Sequence, residues 1–309
     1  MNRRELLKVG GGALMGAVLP LSACSESEVK TERRRRTVKI GINTSTISGY
    51  KLPVEQMIDL CAEAGFKHIE LWIRDVRAYM DQGGKPETLA LQMKNAGIQL
   101  DNIIGFAPWI TGEEGMDEMK REMELSAALG SKHIAATGIG LNQFEIDKVA
   151  DYALSYRELI EFGETLQVVP LLELWGSHVL YRLSDVLSIA LESQHQQAAL
   201  LLDFYHLYRG GNSFKSLAML NGKRLPVFHI NDYTGMIPRE NLKDSDRVFP
   251  GDGICPFNRV IPLLYNIGFQ GTFSLELFNP GYWEKYTVQE LLKISREKVR
   301  QVVVMDNEQ

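Results

Sequence analysis

Glu173, Asp203, His229 and Glu276 each close a short apolar run: VVPLLE, ALLLD, LPVFH and TFSLE. The intervals of 30, 26 and 47 residues are those of successive β-α units, the last with a long loop. Parallel strands carrying these side chains to one rim would converge three carboxylates and an imidazole. An apolar core does not bury three carboxylates without a compensating cation, and a divalent metal is the simplest one. One carboxylate at a strand end is as readily a structural ion-pair partner. Four would each need a separate buried partner. The set is rich in oxygen, which suits Mn²⁺ or Mg²⁺ better than the thiolate- or histidine-rich sets of zinc.

The elements that must position these residues are legible from Val38 onward. Strand-like patterns fall at 38–44, 67–72, 98–105, 132–138, 167–174, 198–203, 226–231 and 271–276. Amphipathic stretches lie between them at about 53–65, 86–96, 115–129, 145–165, 183–194, 213–221 and 257–267, with a last helix at 287–303. Gly65, Gly97, Gly130 and Gly268 sit where helices stop, a place that suits a left-handed residue. Near-continuous apolar strands alternating with helices indicate a covered parallel sheet. The expected fold is α/β, a single-domain (β/α)8 TIM barrel over residues 38–304. A doubly wound open sheet would scatter the four ligands, whereas a closed barrel brings every strand C-terminus to one mouth. Two segments, 105–115 and 232–256, exceed ordinary β-α connections and should cover that mouth.

Three local patterns go further. They are D-x-x-H at Asp203–His206, H-I-N-D at His229–Asp232 and R-x-x-P-G-x-G at Arg247–Gly253. With the four strand ends, the chain from about Val38 to Val304 resembles the sugar phosphate isomerase/epimerase family, the xylose isomerase-like barrels. The resemblance implies one divalent metal, Mn²⁺, Mg²⁺ or Co²⁺, on Glu173, Asp203, His229 and Glu276. It also implies that His206 and Arg247 contact oxygens of a small sugar or polyol. Such a metal can hold two adjacent sugar oxygens and stabilise the enediolate formed when a proton leaves the carbon beside a carbonyl. Glu173 and Glu276 are then the candidate acid–base pair as well as ligands. The expected activity is sugar isomerisation or epimerisation. One alternative is a lyase or dehydratase acting on a keto-inositol or a 3-keto-glycoside. Another is a non-catalytic sugar-binding lipoprotein.

Further residues face the expected mouth. Glu70 could bind sugar hydroxyls or make an orienting bond to Arg74 or Lys67. Trp109 and Trp175, with Trp72, Phe106 and Trp283, could stack on a sugar ring or pack the rim. His178, five residues after Glu173, could reach substrate. The endonuclease branch of these barrels is disfavoured. It needs extra histidines on the second and third strands and in the seventh-strand loop, where this chain offers only His68 at a strand start.

The first residues read as an address. Arg3-Arg4 opens a near twin-arginine signal, followed by an apolar run from Val9 to Leu21 and a lipobox-like Leu21-Ser22-Ala23-Cys24. Residues 1–23 are thus expected to be a signal peptide, and Cys24 a lipidation site. Residues 24–37, with Arg33 to Arg36, would form a charged tether attached to a membrane through lipid alone. Export would place the protein in the periplasm or on the cell surface. Removing residues 1–23 takes away Arg3, Arg4, Lys8 and Glu5, a net +2, so the charge moves from −5 to −7. An acidic chain argues against nucleic-acid binding. Cys61 and Cys255 do not suggest a disulfide framework. Whether the chain forms a homo-oligomer stays open.

Overall fold

The structure is a computed structural model that describes residues 38–304. The expected signal, Cys24 and the arginine tether lie outside the described residues. Among the described residues, no helix is long and apolar enough to cross a membrane.

The eight apolar runs become β1 (Lys39–Asn43), β2 (His68–Trp72), β3 (Gln99–Ile104), β4 (His133–Ala136), β5 (Val169–Glu173), β6 (Ala199–Asp203), β7 (Val227–Ile230) and β10 (Thr272–Leu275). Between the last two lies a small antiparallel ribbon, β8 (Asp232–Tyr233) with β9 (Arg247–Val248). The eight long strands are parallel, and β10 pairs with both β7 and β1 to close the barrel. This is the (β/α)8 barrel that the spacing predicts. The four helix-ending glycines have φ of +85°, +65°, +80° and +86°, the left-handed conformation that suits them.

Period-two alternation decides which side chains reach the interior. Leu171, Ala199, Leu201 and Val227 point inward with Trp72, Ile104 and Ala135 and form a small central core. Continuing the alternation, Glu173 follows Leu171, Asp203 follows Leu201, and His229 follows Val227 on the same inward face. The intervening residues Leu172, Leu200, Leu202 and Phe228 join the larger core beneath the helices.

Three helices were not legible in the sequence: Ile73–Asp81, Phe204–Arg209 and Pro280–Lys285. Each begins within a few residues of a strand end, on the mouth side of the barrel. The helix expected at 213–221 is instead a 3-10 turn, Phe214–Met219. Leu217 is its only buried residue, too little apolar anchorage for a covering helix.

Candidate active site

Asp203, His229 and Glu276 each present a ligand atom, and these atoms lie within 4.8 Å of one another. The strand register explains the meeting. Asp203 stands opposite His229, and His229 stands opposite Ser274, two residues before Glu276. Nδ1 of His229 is 3.3 Å from Glu276 Oε2 and 3.7 Å from Asp203 Oδ2. Glu173 stands opposite Leu201, two residues short of Asp203, and is not part of this tight group. It remains close enough for His229, Glu276 and Asp203 to act on its charge.

Each ligand is held from behind. Glu70 Oε2 lies 3.1 Å from His229 Nε2 and accepts a hydrogen bond from Asn102 Nδ2 at 2.9 Å. Asn43 donates to Glu276 Oε1 at 3.1 Å, while its own carbonyl oxygen accepts from Trp72 Nε1 at 2.6 Å. Asn231 donates to Asp203 Oδ2 at 2.9 Å. Asp203 also caps the helix Phe204–Arg209, its Oδ1 accepting the backbone N–H of His206 at 2.9 Å. The D-x-x-H spacing is thus a capping spacing: the same residue that ligates also places His206 on the first turn.

Arg247 arrives on the ribbon, where it stands opposite Tyr233. Its Nη1 donates to Asp203 Oδ2 at 2.9 Å and to Glu276 Oε2 at 2.7 Å. Its Nη2 lies 3.1 Å from His206 Nε2 and donates to Asp244 Oδ1 at 2.6 Å. Tyr205 and Phe278 flank the guanidinium at 4.4 and 5.1 Å. The P-G-x-G turn that follows is organised by one carboxylate. Asp232 accepts the backbone N–H groups of Tyr233, Gly251, Gly253 and Cys255 at 2.8–3.0 Å. A Cβ on Gly253 would come within 2.3 Å of Asp232 Oδ1, so glycine is required there.

The electrostatics separate the acidic groups. Burial, followed by the charges of Glu276 and Asp203, pushes the Glu173 carboxyl up to about 8 against the pull of His229. Burial would raise Glu276 too, but His229 and Arg247 reverse it and hold that carboxyl well below the usual range. Burial opposes the charged form of His229, yet Glu276 and Glu70 lift it well above 6.5. Burial and then Arg247 push His206 well below 6.5. A neutral His206 whose Nε2 accepts from Arg247 carries its proton on Nδ1, which has no partner.

The donor set fits a divalent ion. Glu173 Oε2 is buried without a hydrogen-bond partner, a cost of about 1–3 kcal/mol. A cation faced by Asp203, His229, Glu276 and Glu173 would remove that deficit.

Two expected substrate contacts are corrected. Glu70 is fully buried and spends Oε2 on His229 and Asn102, so it supports the imidazole rather than a sugar hydroxyl. Its expected partner Arg74 lies over the Trp72 ring at 4.2 Å instead. Trp109 is 1% exposed. The 3-10 turn Trp109–Thr111 folds its indole back beneath the helix Val149–Leu166. There Nε1 donates to the Thr137 carbonyl at 2.7 Å and the ring meets Tyr156 at 6.0 Å. Trp283 likewise packs on the first turn, donating to Thr46. Trp72, Phe106 and Trp175 form a chain of rings at 5.2 and 5.6 Å, with Phe278 beside Trp72 at 5.9 Å. Trp175 also faces His206 at 6.1 Å. His178 is exposed, packs on Trp175 at 4.4 Å and lines a neighbouring recess.

Asn43 and Asn102 are site residues that the sequence patterns miss, and Asn231 and Asp232 enter only as members of a pattern, without a role. Asn231 and Asp232 lie inside the H-I-N-D pattern, and Asn43 closes the first apolar run just as the ligands close theirs. Asn102 gave no signal.

Comparison with known proteins places this geometry. Residues 58–298 match the family model of the xylose isomerase-like TIM barrel. An inosose isomerase of Bacillus velezensis is 27% identical over 81% of this chain and 92% of its own length. That of Bacillus subtilis is 30% identical over 62% of this chain and 69% of its own. A crystal structure of the IOLI protein with a bound zinc atom superposes with a TM-score of 0.78 at 24% identity, covering 86% of this chain and 98% of that one.

Proposed function

Because the chain belongs to the xylose isomerase-like TIM-barrel family, we propose that it is a divalent-metal-dependent isomerase or epimerase of a small sugar or polyol ketone. The observation that carries this reading is the convergence of Asp203, His229 and Glu276 beside the buried carboxyl of Glu173, whose Oε2 has no hydrogen-bond partner. Inosose isomerases among the relatives support a cyclic polyol ketone as the substrate class. Asp203, His229, Glu276 and Glu173 would hold the metal. An oxygen-rich set favours Mn²⁺, and the zinc of the IOLI protein supports a divalent ion of this size. When bound, the ion would polarise the substrate carbonyl and stabilise the negative charge that develops on it.

The residues supply the proton transfer. As ligands, both carboxyls would be ionised. Glu276 could take the proton from the carbon beside the carbonyl and return it at the neighbouring position, and Glu173 is the second carboxylate able to exchange a proton there. His206 Nδ1–H and the guanidinium of Arg247 would fix substrate oxygens. The rings of Trp72, Phe106, Trp175 and Phe278 would cover the apolar face of a sugar ring and exclude water. The reading extends to the address: a twin-arginine signal and lipid on Cys24 would deliver the barrel to a membrane surface.

The test is solvent exchange. In deuterium oxide, with Mn²⁺ present, the protein should place deuterium on the carbon beside the carbonyl of an inosose. Chelation should stop it. Exchange that persists without metal, or its absence with every keto-polyol and keto-sugar tried, would sink the proposal.

A further inference from the structure

A second recess opens beside the mouth, between the loop after β4 and the loop after β5, with a volume of about 780 Å³. Small-ligand sites run from roughly 300 to 1,000 Å³. The recess is lined by none of the metal-facing residues. Phe144 and Ile146 give it apolar faces, and Asn142, Gln143 and Arg182 give it polar edges. Phe144 is braced by Tyr152 at 5.7 Å, whereas Ile146 is 68% exposed. The side-chain amides of Asn142 and Gln143 make no hydrogen bond to any described residue. Unspent amides around uncovered apolar side chains form a surface suited to a ring with one apolar face and hydroxyls at its edge.

One wall separates the recess from the residues of the mouth. His178 lines it, and the His178 ring meets Trp175 at 4.4 Å. Trp175 in turn faces His206, which lies against Arg247. Two ring contacts therefore separate the recess from the groups proposed to hold substrate oxygens. We propose that the recess is an outer subsite for the second ring of a two-ring glycoside whose first ring occupies the metal-facing mouth. This rests on reading the mouth as a carbohydrate site. A single ring would leave the recess unused, whereas in the proposal the second ring lies beyond the His178–Trp175 wall, against Phe144.

Calorimetric binding to the Mn²⁺-loaded protein tests this, with glucose and the glucose disaccharides trehalose, sophorose, laminaribiose, maltose, cellobiose and gentiobiose as probes. At least one disaccharide should bind about tenfold tighter than glucose. The double variant Phe144→Ala, Arg182→Ala should remove that advantage and leave glucose binding unchanged. Asn142→Trp, which fills the recess from an exposed position without deleting a packed side chain, should do the same. Equal affinity for glucose and every disaccharide overturns the outer subsite, as does an advantage that survives both variants. In either case glucose binding preserves the reading of the mouth. Failure of every sugar to bind also overturns the outer subsite, while metal-dependent deuterium exchange into an inosose decides the reading of the mouth separately.

Discussion

Nε2 of His229 lies 3.1 Å from Oε2 of Glu70, and both side chains are fully buried. With a metal on Nδ1 the carboxylate would keep the single ring proton on Nε2, and it turns Nδ1 toward Asp203 and Glu276. Outer partners of a ligating histidine commonly matter about 10–100-fold in metal affinity. Glu70→Gln is therefore expected to weaken Mn²⁺ binding by roughly that factor while the barrel stays folded. A competitive metal titration checks it. Unchanged affinity would mean that Glu70 is only packing.

The raised carboxyl of Glu173 makes stability depend on pH. Its ordinary value is 4.5 and the folded one about 8, so between these the folded, metal-free chain keeps a proton that the unfolded chain has lost. Stability must then fall as pH rises across that window. His229, lifted well above 6.5, adds a slope of the same sign. Urea unfolding of metal-free protein at a series of pH values should show the decline, and Glu173→Gln should remove Glu173's share. Metal affinity should run the opposite way, rising with pH as the ligands shed their protons. His206, held well below 6.5, gives the opposite slope up to that pH, so the window that decides is pH 6.5 to 8, and a metal-free chain that gains stability there contradicts the charge assignment.

Glu276→Gln keeps the side-chain shape and one carbonyl oxygen but cannot accept a proton. Turnover should drop by roughly 10²–10⁴, the usual range for loss of a general base. Substrate affinity should change far less, because His206 and Arg247 remain. Glu173→Gln should behave alike if the two carboxyls serve opposite positions. Full-rate deuterium wash-in with both variants would make these residues ligands only.

The address can be tested apart from the chemistry. Arg3→Lys with Arg4→Lys should leave the precursor in the cytoplasm, and Cys24→Ser should release the exported chain from the membrane fraction. Fractionation indistinguishable from the parent protein would remove the export proposal without touching the site.

How much of this was readable in the sequence varies with the kind of signal. Asp203, His229 and Glu276 were legible because each terminates an apolar strand, and period two leaves no choice of face once the strand is placed. His206 followed from a three-residue spacing that the cap of the helix Phe204–Arg209 explains. Glu70 carries the same strand-end signal, yet its partners depend on neighbouring strands. The register between β2 and β3 shifts at Ile69/Glu70, setting Glu70 opposite Asn102. No local pattern announces such a shift. Trp109 misleads for the opposite reason: its place just after a strand predicts a residue at the rim. The turn Trp109–Thr111 instead folds it back into the layer between barrel and helix.

Asp232 has one more implication. By gathering four backbone N–H groups, it locks the end of the long loop to the strand that carries His229. Arg247 is pinned by the ribbon and by Asp244. Between these anchors the tip around Met236, 93% exposed, carries none of the contacts that set the guanidinium. Drift in sequence is cheap at that tip and dear at its roots. A lineage could therefore retailor what passes over the mouth while the reactive groups beneath keep their places.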